Sequence, residues 1–89
     1  MNVLIDRSFE KDSTKIKDKL LLNKIAECID SVCNASGIQE IKSLKKLIGY
    51  TKEYRIRLGD YRLGILIEKD TVEFIRCLHR KDIYKYFPK

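Results

Sequence analysis

From Asp18 onward the apolar positions Leu22, Ile25, Ala26, Ile29, Val32 and Cys33 recur at three- and four-residue steps, with Lys24, Glu27, Asp30 and Asn34 between them. That spacing places them on one face of an amphipathic helix, which the Ser36-Gly37 pair is expected to stop. Upstream, Asn2 to Asp6 alternates weakly and is β-branched at Val3 and Ile5, predicting a short first strand. Ser8 then offers an N-cap to a short helix reaching about Lys17, with Glu10 and Asp12 in its first turn, where carboxylates favour the helix dipole. The stretch Ile38 to Ile48 reads either as a helical turn or two through Ile41, Leu44 and Ile48, or as a solvated loop carrying Lys42, Lys45 and Lys46; Gly49 ends it in both cases.

After Gly49 the period changes to two. Tyr54, Ile56 and Leu58 alternate with Arg55 and Arg57, Gly59-Asp60 makes a turn, Tyr61 to Glu68 forms a second strand, Lys69-Asp70 turns again, and Thr71 to Leu78 forms a third. Two-residue turns at both places set Arg57 opposite Arg62, Ile56 opposite Leu63, Arg55 opposite Gly64, Gly64 opposite Ile75 and Arg62 opposite Cys77, and opposed residues share a face of the sheet. One face then collects Tyr54, Ile56, Leu58, Tyr61, Leu63, Ile65, Ile67, Val72, Phe74 and Leu78, the floor that the amphipathic helix needs. The core is expected where Leu22, Ile25, Ile29 and Val32 meet Ile56, Leu63, Ile65 and Phe74.

The other face collects Arg55, Arg57, Arg62, Gly64, Cys77 and His79. Like charges directly opposite each other cost stability, so the Arg57–Arg62 pair breaks a local rule in the way functional sites do: an anion between two guanidinium groups turns repulsion into bidentate binding. His79 is the one side chain of the chain that titrates near neutral pH unaided, and Tyr84 and Tyr86 follow on the tail. Phosphodiester cleavage needs a proton acceptor for the attacking oxygen, a proton donor for the leaving oxygen and fixed positive charge at the phosphorus, and this set supplies those types.

Composition narrows the class. The 89 residues are 44% hydrophobic and 36% charged, a globular composition for a single domain spanning 1–89. Unbroken apolar runs such as Leu20 to Leu22 are far shorter than the roughly 20 residues that span a bilayer, and the N-terminus lacks a secretory pattern, so no membrane association and a cytoplasmic location are expected. Lys plus Arg number 19 against 13 for Asp plus Glu, and five of the six arginines lie after residue 50, which points to an anionic partner, nucleic acid first. Cys28, Cys33 and Cys77 show no zinc spacing and no closed disulfide framework; neither metal nor cofactor is expected.

The run Tyr54-Arg55-Ile56-Arg57-Leu58-Gly59-Asp60-Tyr61-Arg62-Leu63-Gly64, followed by His79-Arg80-Lys81-Asp82-Ile83-Tyr84, resembles the RelE/ParE superfamily of type II toxin-antitoxin toxins over nearly the whole chain. The resemblance implies an α+β domain with an N-terminal strand and two helices packed on a mainly antiparallel sheet. It implies a ribosome-dependent mRNA endonuclease that cuts in the A site through attack of the message's 2′-hydroxyl. By position, Arg55 and Arg57 match the paired basic strand residues, Arg62 the turn arginine, and Arg80 and Tyr84 the tail pair, while His79 lies where some members hold a catalytic histidine. Catalysis is thus expected of Arg57, Arg62, His79, Arg80 and Tyr84, with RNA contacts from Arg55, Arg57, Arg62, Lys81 and Lys85. RelE itself has lysines where Arg55 and Arg57 stand, and its tail spacing is longer. The partners implied are an antitoxin encoded next door, the ribosome and mRNA, and operator DNA for the toxin–antitoxin complex. ParE-like members, which poison DNA gyrase without cleaving anything, share the fold and supply the alternative function.

Overall fold

Gly59 at φ +60° and Lys69 at φ +56° sit in the left-handed region at the two hairpin turns. Tight turns there fold the second half of the chain into a meander. The computed structural model describes residues 1–88. The elements in chain order are β1 (Asn2–Ile5), α1 (Arg7–Thr14), α2 (Lys19–Asn34), a 3-10 turn (Ile38–Glu40), β2 (Leu44–Lys46), β3 (Glu53–Leu58), β4 (Tyr61–Glu68), β5 (Thr71–His79) and α3 (Ile83–Tyr86). The sheet order is β1-β5-β4-β3-β2, with β1 parallel to β5 and every other pair antiparallel. This is the α+β architecture the sequence predicts, and no described helix is long and apolar enough to cross a membrane.

The core lies between the helices and one sheet face. Leu63, Ile65, Val72 and Phe74 are fully buried there, with Ile56, Ile25 and Val32 beside them, and the Phe9 ring meets Phe74 edge-on at 5.5 Å between centroids. The helical stripe is rotated from the predicted one: Leu21 and Cys28 pack on the core, whereas Ala26 and Cys33 face solvent. The N-cap of α1 is Asp6, whose carboxylate accepts from the Ser8 backbone N–H, and that helix ends at Thr14. Asp18 caps α2 by accepting from the N–H groups of Leu20 and Leu21. At the far end α2 is closed by an extended Ala35, and Gly37 is itself extended at φ −172°, so no left-handed glycine stops the helix. The ambiguous stretch contains a strand, β2, whose Lys45 lies opposite Arg55.

Strand β1 pairs only with the first half of β5, through Phe74. Beyond it α1 takes over the edge: the Ser8 hydroxyl donates to the Ile75 carbonyl at 2.6 Å, and the Asp12 carboxylate accepts from the Cys77 N–H at 2.9 Å. Side chains of α1 thereby satisfy an edge that would otherwise stand open to strand pairing. Asp12 is buried and also holds Arg76 with both oxygens, at 2.7 Å to Nε and 3.0 Å to Nη2.

Candidate nucleic-acid interface

The β3–β4 ladder has the register read from the turn: Arg57 faces Arg62, Arg55 faces Gly64 and Ile56 faces Leu63. The guanidinium of Arg62 is anchored at the hairpin end, where its Nη1 donates to the carbonyls of Gly59 at 2.8 Å and Tyr61 at 2.9 Å. Its pKa is pushed below the usual arginine value, first by burial and then by the charges of Arg55, Arg57 and Arg80, while Tyr84 acts in the opposite sense. An arginine does not give up its proton in this range; burial is the larger cause of the shift, and the neighbouring positive charges add to it. Arg55 is steadied by a 3.0 Å bond from Nη1 to the Ser43 carbonyl. Five of the residues singled out from the sequence, Arg55, Arg57, Arg62, Arg80 and Tyr84, therefore stand in one electrostatic neighbourhood.

The β4–β5 ladder follows the predicted register only from Glu68–Thr71 to Ile65–Phe74. Between Gly64 and Ile65 it shifts, leaving Ile75 as an extra residue, so Gly64 faces Arg76, Leu63 faces Cys77, Arg62 faces Leu78 and Tyr61 faces His79. A bulge of one residue reverses the facing of everything beyond it. Three placements are corrected by this shift. Cys77 enters the core at 1% exposure, Leu78 joins the arginine face, and His79 leaves that face to meet the Tyr61 ring edge-on at 5.7 Å. His79 Nδ1 accepts the Lys81 N–H at 3.1 Å and its carbonyl accepts the Asp82 N–H at 2.8 Å, so this histidine shapes the turn that presents Arg80. The Arg80 N–H donates to the Asp60 carbonyl at 2.7 Å, fixing that turn against the β3–β4 hairpin.

The tail that sequence reading leaves loose is the short helix α3, seated on the arginine face. Ile83 is fully buried and Phe87 is 3% exposed, both outside the main core cluster. A Cβ on Gly64 would stand 2.7 Å from the Phe87 ring, which is why a glycine occupies the middle of β4. Arg76, held by Asp12, lies over the Tyr86 ring at 5.3 Å and ties the far end of α3 to β5. Lys81 and Lys85 are exposed, and Lys85 pairs with Asp82 at 3.6 Å, an ion pair on the surface of α3. Sequence reading does not find the Asp12–Arg76–Tyr86 link or the Phe87 seat; Gly64 inside an otherwise apolar strand is the one signal that could have flagged the latter.

A cationic sheet face at a hairpin end, carrying a short C-terminal helix and backed by two helices, makes this a small α+β protein with a basic working face. The chain belongs to the RelE/ParE family of type II toxin-antitoxin toxins: residues 3–84 match the family described as ParE toxin of type II toxin-antitoxin system, parDE. Toxin RelE3 of Methanocaldococcus jannaschii is 40% identical over 89 residues, covering 99% of this chain and 100% of that one. In structure the chain is similar to the RelB-RelE antitoxin-toxin complex from Methanococcus jannaschii, with a TM-score of 0.79, 38% identity and coverage of 96% of this chain and 99% of that one. It shares its fold with the YoeB dimer from Staphylococcus aureus at a TM-score of 0.70 and 20% identity, over 89% of this chain and 95% of that one.

Proposed function

We propose that this toxin is a ribosome-dependent mRNA endonuclease. The observation that carries the reading is the cross-strand pair Arg57–Arg62, with Arg55 two residues along the same face, Arg80 fixed to the hairpin by its N–H bond to the Asp60 carbonyl, and Tyr84 lining one depression with Arg55. In this reading Arg57 and Arg62 hold the scissile phosphate and take up its developing charge, Arg55 steers the RNA backbone, and Arg80 stabilises the leaving side. The message's 2′-oxygen attacks the adjacent phosphorus as it loses its proton, the bond from phosphorus to the 5′-oxygen breaks, and that oxygen gains a proton. A cyclic phosphate and a 5′-hydroxyl result. Tyr84 is the group of the cluster whose hydroxyl can pass protons, because arginines stay charged. His79 serves by holding the Arg80 turn, and Lys81 and Lys85 add charge for the RNA backbone.

An antitoxin partner follows from family membership and from the toxin–antitoxin complex that the 38%-identical relative forms. Its task on this chain is to cover or neutralise the arginine face, and operator DNA is the proposed partner of the joint complex. Primer extension on ribosome-bound message tests the activity directly: cleavage within the A-site codon is expected, and no cleavage alongside inhibition of DNA gyrase supercoiling would assign the protein to the ParE mode instead.

A further inference from the structure

Ser43 enters β2 with its backbone in the left-handed region, at φ +60°. Lys69, at φ +56°, takes the same conformation because the two-residue turn between β4 and β5 demands it. No hairpin makes that demand at Ser43, which lies between the 3-10 turn and β2 with its side chain exposed. A β-carbon disfavours this region, so the conformation raises the question of what the turned backbone delivers. It delivers a carbonyl. The Ser43 oxygen accepts from the Arg57 N–H at 3.2 Å and from Arg55 Nη1 at 3.0 Å, so one atom serves both basic residues of β3.

Arg55 has little else to lean on along the sheet. Across β4 it faces Gly64, which has no side chain, and across β2 it faces Lys45, which repels it. Ser43 lies two residues from Lys45 along β2, level with Arg57, so the bond draws the Arg55 guanidinium toward the Arg57–Arg62 pair. The electrostatics agree with that direction. After burial, the charge of Arg55 lowers the pKa of Arg62 more than that of Arg57 does, although Arg57 is the residue directly opposite. A guanidinium carries five N–H donors, so one spent on a carbonyl leaves the others for an anion. A fork already fixed loses less freedom when the anion arrives.

We propose that Ser43 is a positioning residue: its left-handed backbone aims a carbonyl that holds the Arg55 guanidinium turned toward the Arg57–Arg62 pair, set to receive an RNA phosphate. Arg57 is also placed by its ladder with β4, so the effect of Ser43 runs through Arg55. The proposal rests on the endonuclease reading for RNA as the anion, and adds to it a residue that touches no substrate.

The test uses the full chain and a fluorescent single-stranded RNA made uncleavable by 2′-O-methyl groups, with affinity read from anisotropy. Arg55→Ala is expected to weaken binding about tenfold, the scale of one hydrogen bond to a charged group. Ser43→Val, whose branched β-carbon resists the left-handed region, should cost at least about threefold, and Ser43→Asn, which tolerates that region, should bind as wild type does. Adding Ser43→Val to Arg55→Ala should cost nothing further, because the group it positions is gone. Wild-type affinity in Ser43→Val overturns the proposal, as does an equal loss in Ser43→Asn, a further loss in the double variant, or no measurable binding of the RNA. Should Ser43→Val not fold, nitrogen NMR of the wild-type chain decides. Separate Arg55 Nη signals, identified by their absence from Arg55→Ala, are expected from hindered rotation, and a single averaged signal overturns the proposal. Because the RNA cannot be cut, a protein that cleaves nothing on ribosomes can still show the pattern of affinities; one that cleaves message without showing it keeps its activity and loses this role for Ser43.

Discussion

Gly64 and Phe87 are in such close contact that a single added methyl group on the glycine would stand 2.7 Å from the ring. The arginine face is therefore not an open plane. Its middle is filled by the C-terminal segment, which seats Phe87 on β4 and carries Tyr84 on the preceding turn of α3. The distance between a strand glycine and one ring thus sets where the tyrosine of the proposed active site stands.

Gly64→Ala should test that relation. The backbone at Gly64 needs no left-handed conformation, so the cost is overpacking alone, about 1–3 kcal/mol in denaturant unfolding. Cleavage should fall further than this loss of stability accounts for, because Phe87 directly follows α3 and a displaced ring shifts the helix that carries Tyr84. Full activity in a destabilised Gly64→Ala protein would detach Tyr84 from the chemistry.

Asp12 should be among the most costly positions to truncate. Its carboxylate is buried, holds Arg76 through two bonds and satisfies the Cys77 N–H on the edge of β5. The Asp12 hydrogen bonds raise the pKa of Arg76 above its ordinary value, so removing the acid leaves a guanidinium and an edge amide without it. Asp12→Ala is expected to lose about 3–5 kcal/mol. Asp12→Asn, which can still accept from the Cys77 N–H, should lose less, and equilibrium denaturation of both variants measures the order.

The two hairpins differ in how far a sequence can reveal them. Between alternating strands, Gly59-Asp60 admits one register, and the Arg57–Arg62 pairing follows from it. The upper half of β5 is not legible in the same way, because Cys77, Leu78 and His79 fit either parity and the bulge at Ile75 is held from outside the strand by Ser8 and Asp12. A pattern confined to neighbours along the chain carries no trace of a partner that distant. Strand β2 was hidden for another reason: of Leu44, Lys45 and Lys46 only the first is even half-buried, too short an alternation to distinguish from loop. The seat of α3 rests on Ile83 and Phe87, four positions apart, which reads as helix only once Gly64 is known to face them.

Acid should weaken the N-cap of α1 through Asp6. Its carboxyl is held below the ordinary value by the Ser8 hydroxyl and backbone N–H, with Arg7 adding a smaller effect. A folded pKa below the unfolded one, near 4, means the stabilisation is complete above about pH 5 and disappears as pH falls through the folded value. Asp6→Asn retains a good cap without the titration. Its stability should stay near wild type at pH 7 and decline less steeply between about pH 4 and pH 2, as read from thermal midpoints across that range.

The three thiols should separate by accessibility. Cys33 is exposed on α2, Cys28 is half-buried with its thiol pushed up by burial, and Cys77 is buried with its thiol pushed up to about 12 by burial first and then by Asp12. The thiolate is the reactive form, so iodoacetamide at pH 8 should modify Cys33 first and leave Cys77 intact until denaturant is added. Mass spectrometry of a time course decides it, and early modification at Cys77 would mean that α1 does not stay closed over the β5 edge.

Arg62 offers the sharpest separation of structure from chemistry. Its guanidinium bonds two turn carbonyls, which favours the fold, and it stands among Arg55, Arg57 and Arg80, which opposes it. Bonds at a partly exposed site contribute about 1 kcal/mol each at most, and the relief of repulsion on truncation runs the other way. Arg62→Ala should therefore change unfolding free energy by less than about 1.5 kcal/mol in either direction. Cleavage on ribosomes should fall by at least about 10²-fold, the usual consequence of removing one donor to a developing anion. Arg62→Lys restores the charge but not the planar fork that can hold a phosphate through two parallel bonds, so it should recover only part of the activity. An unfolded Arg62→Ala protein would make the arginine structural, and a folded one with undiminished toxicity in cells would mean that the cationic face serves something other than phosphate cleavage.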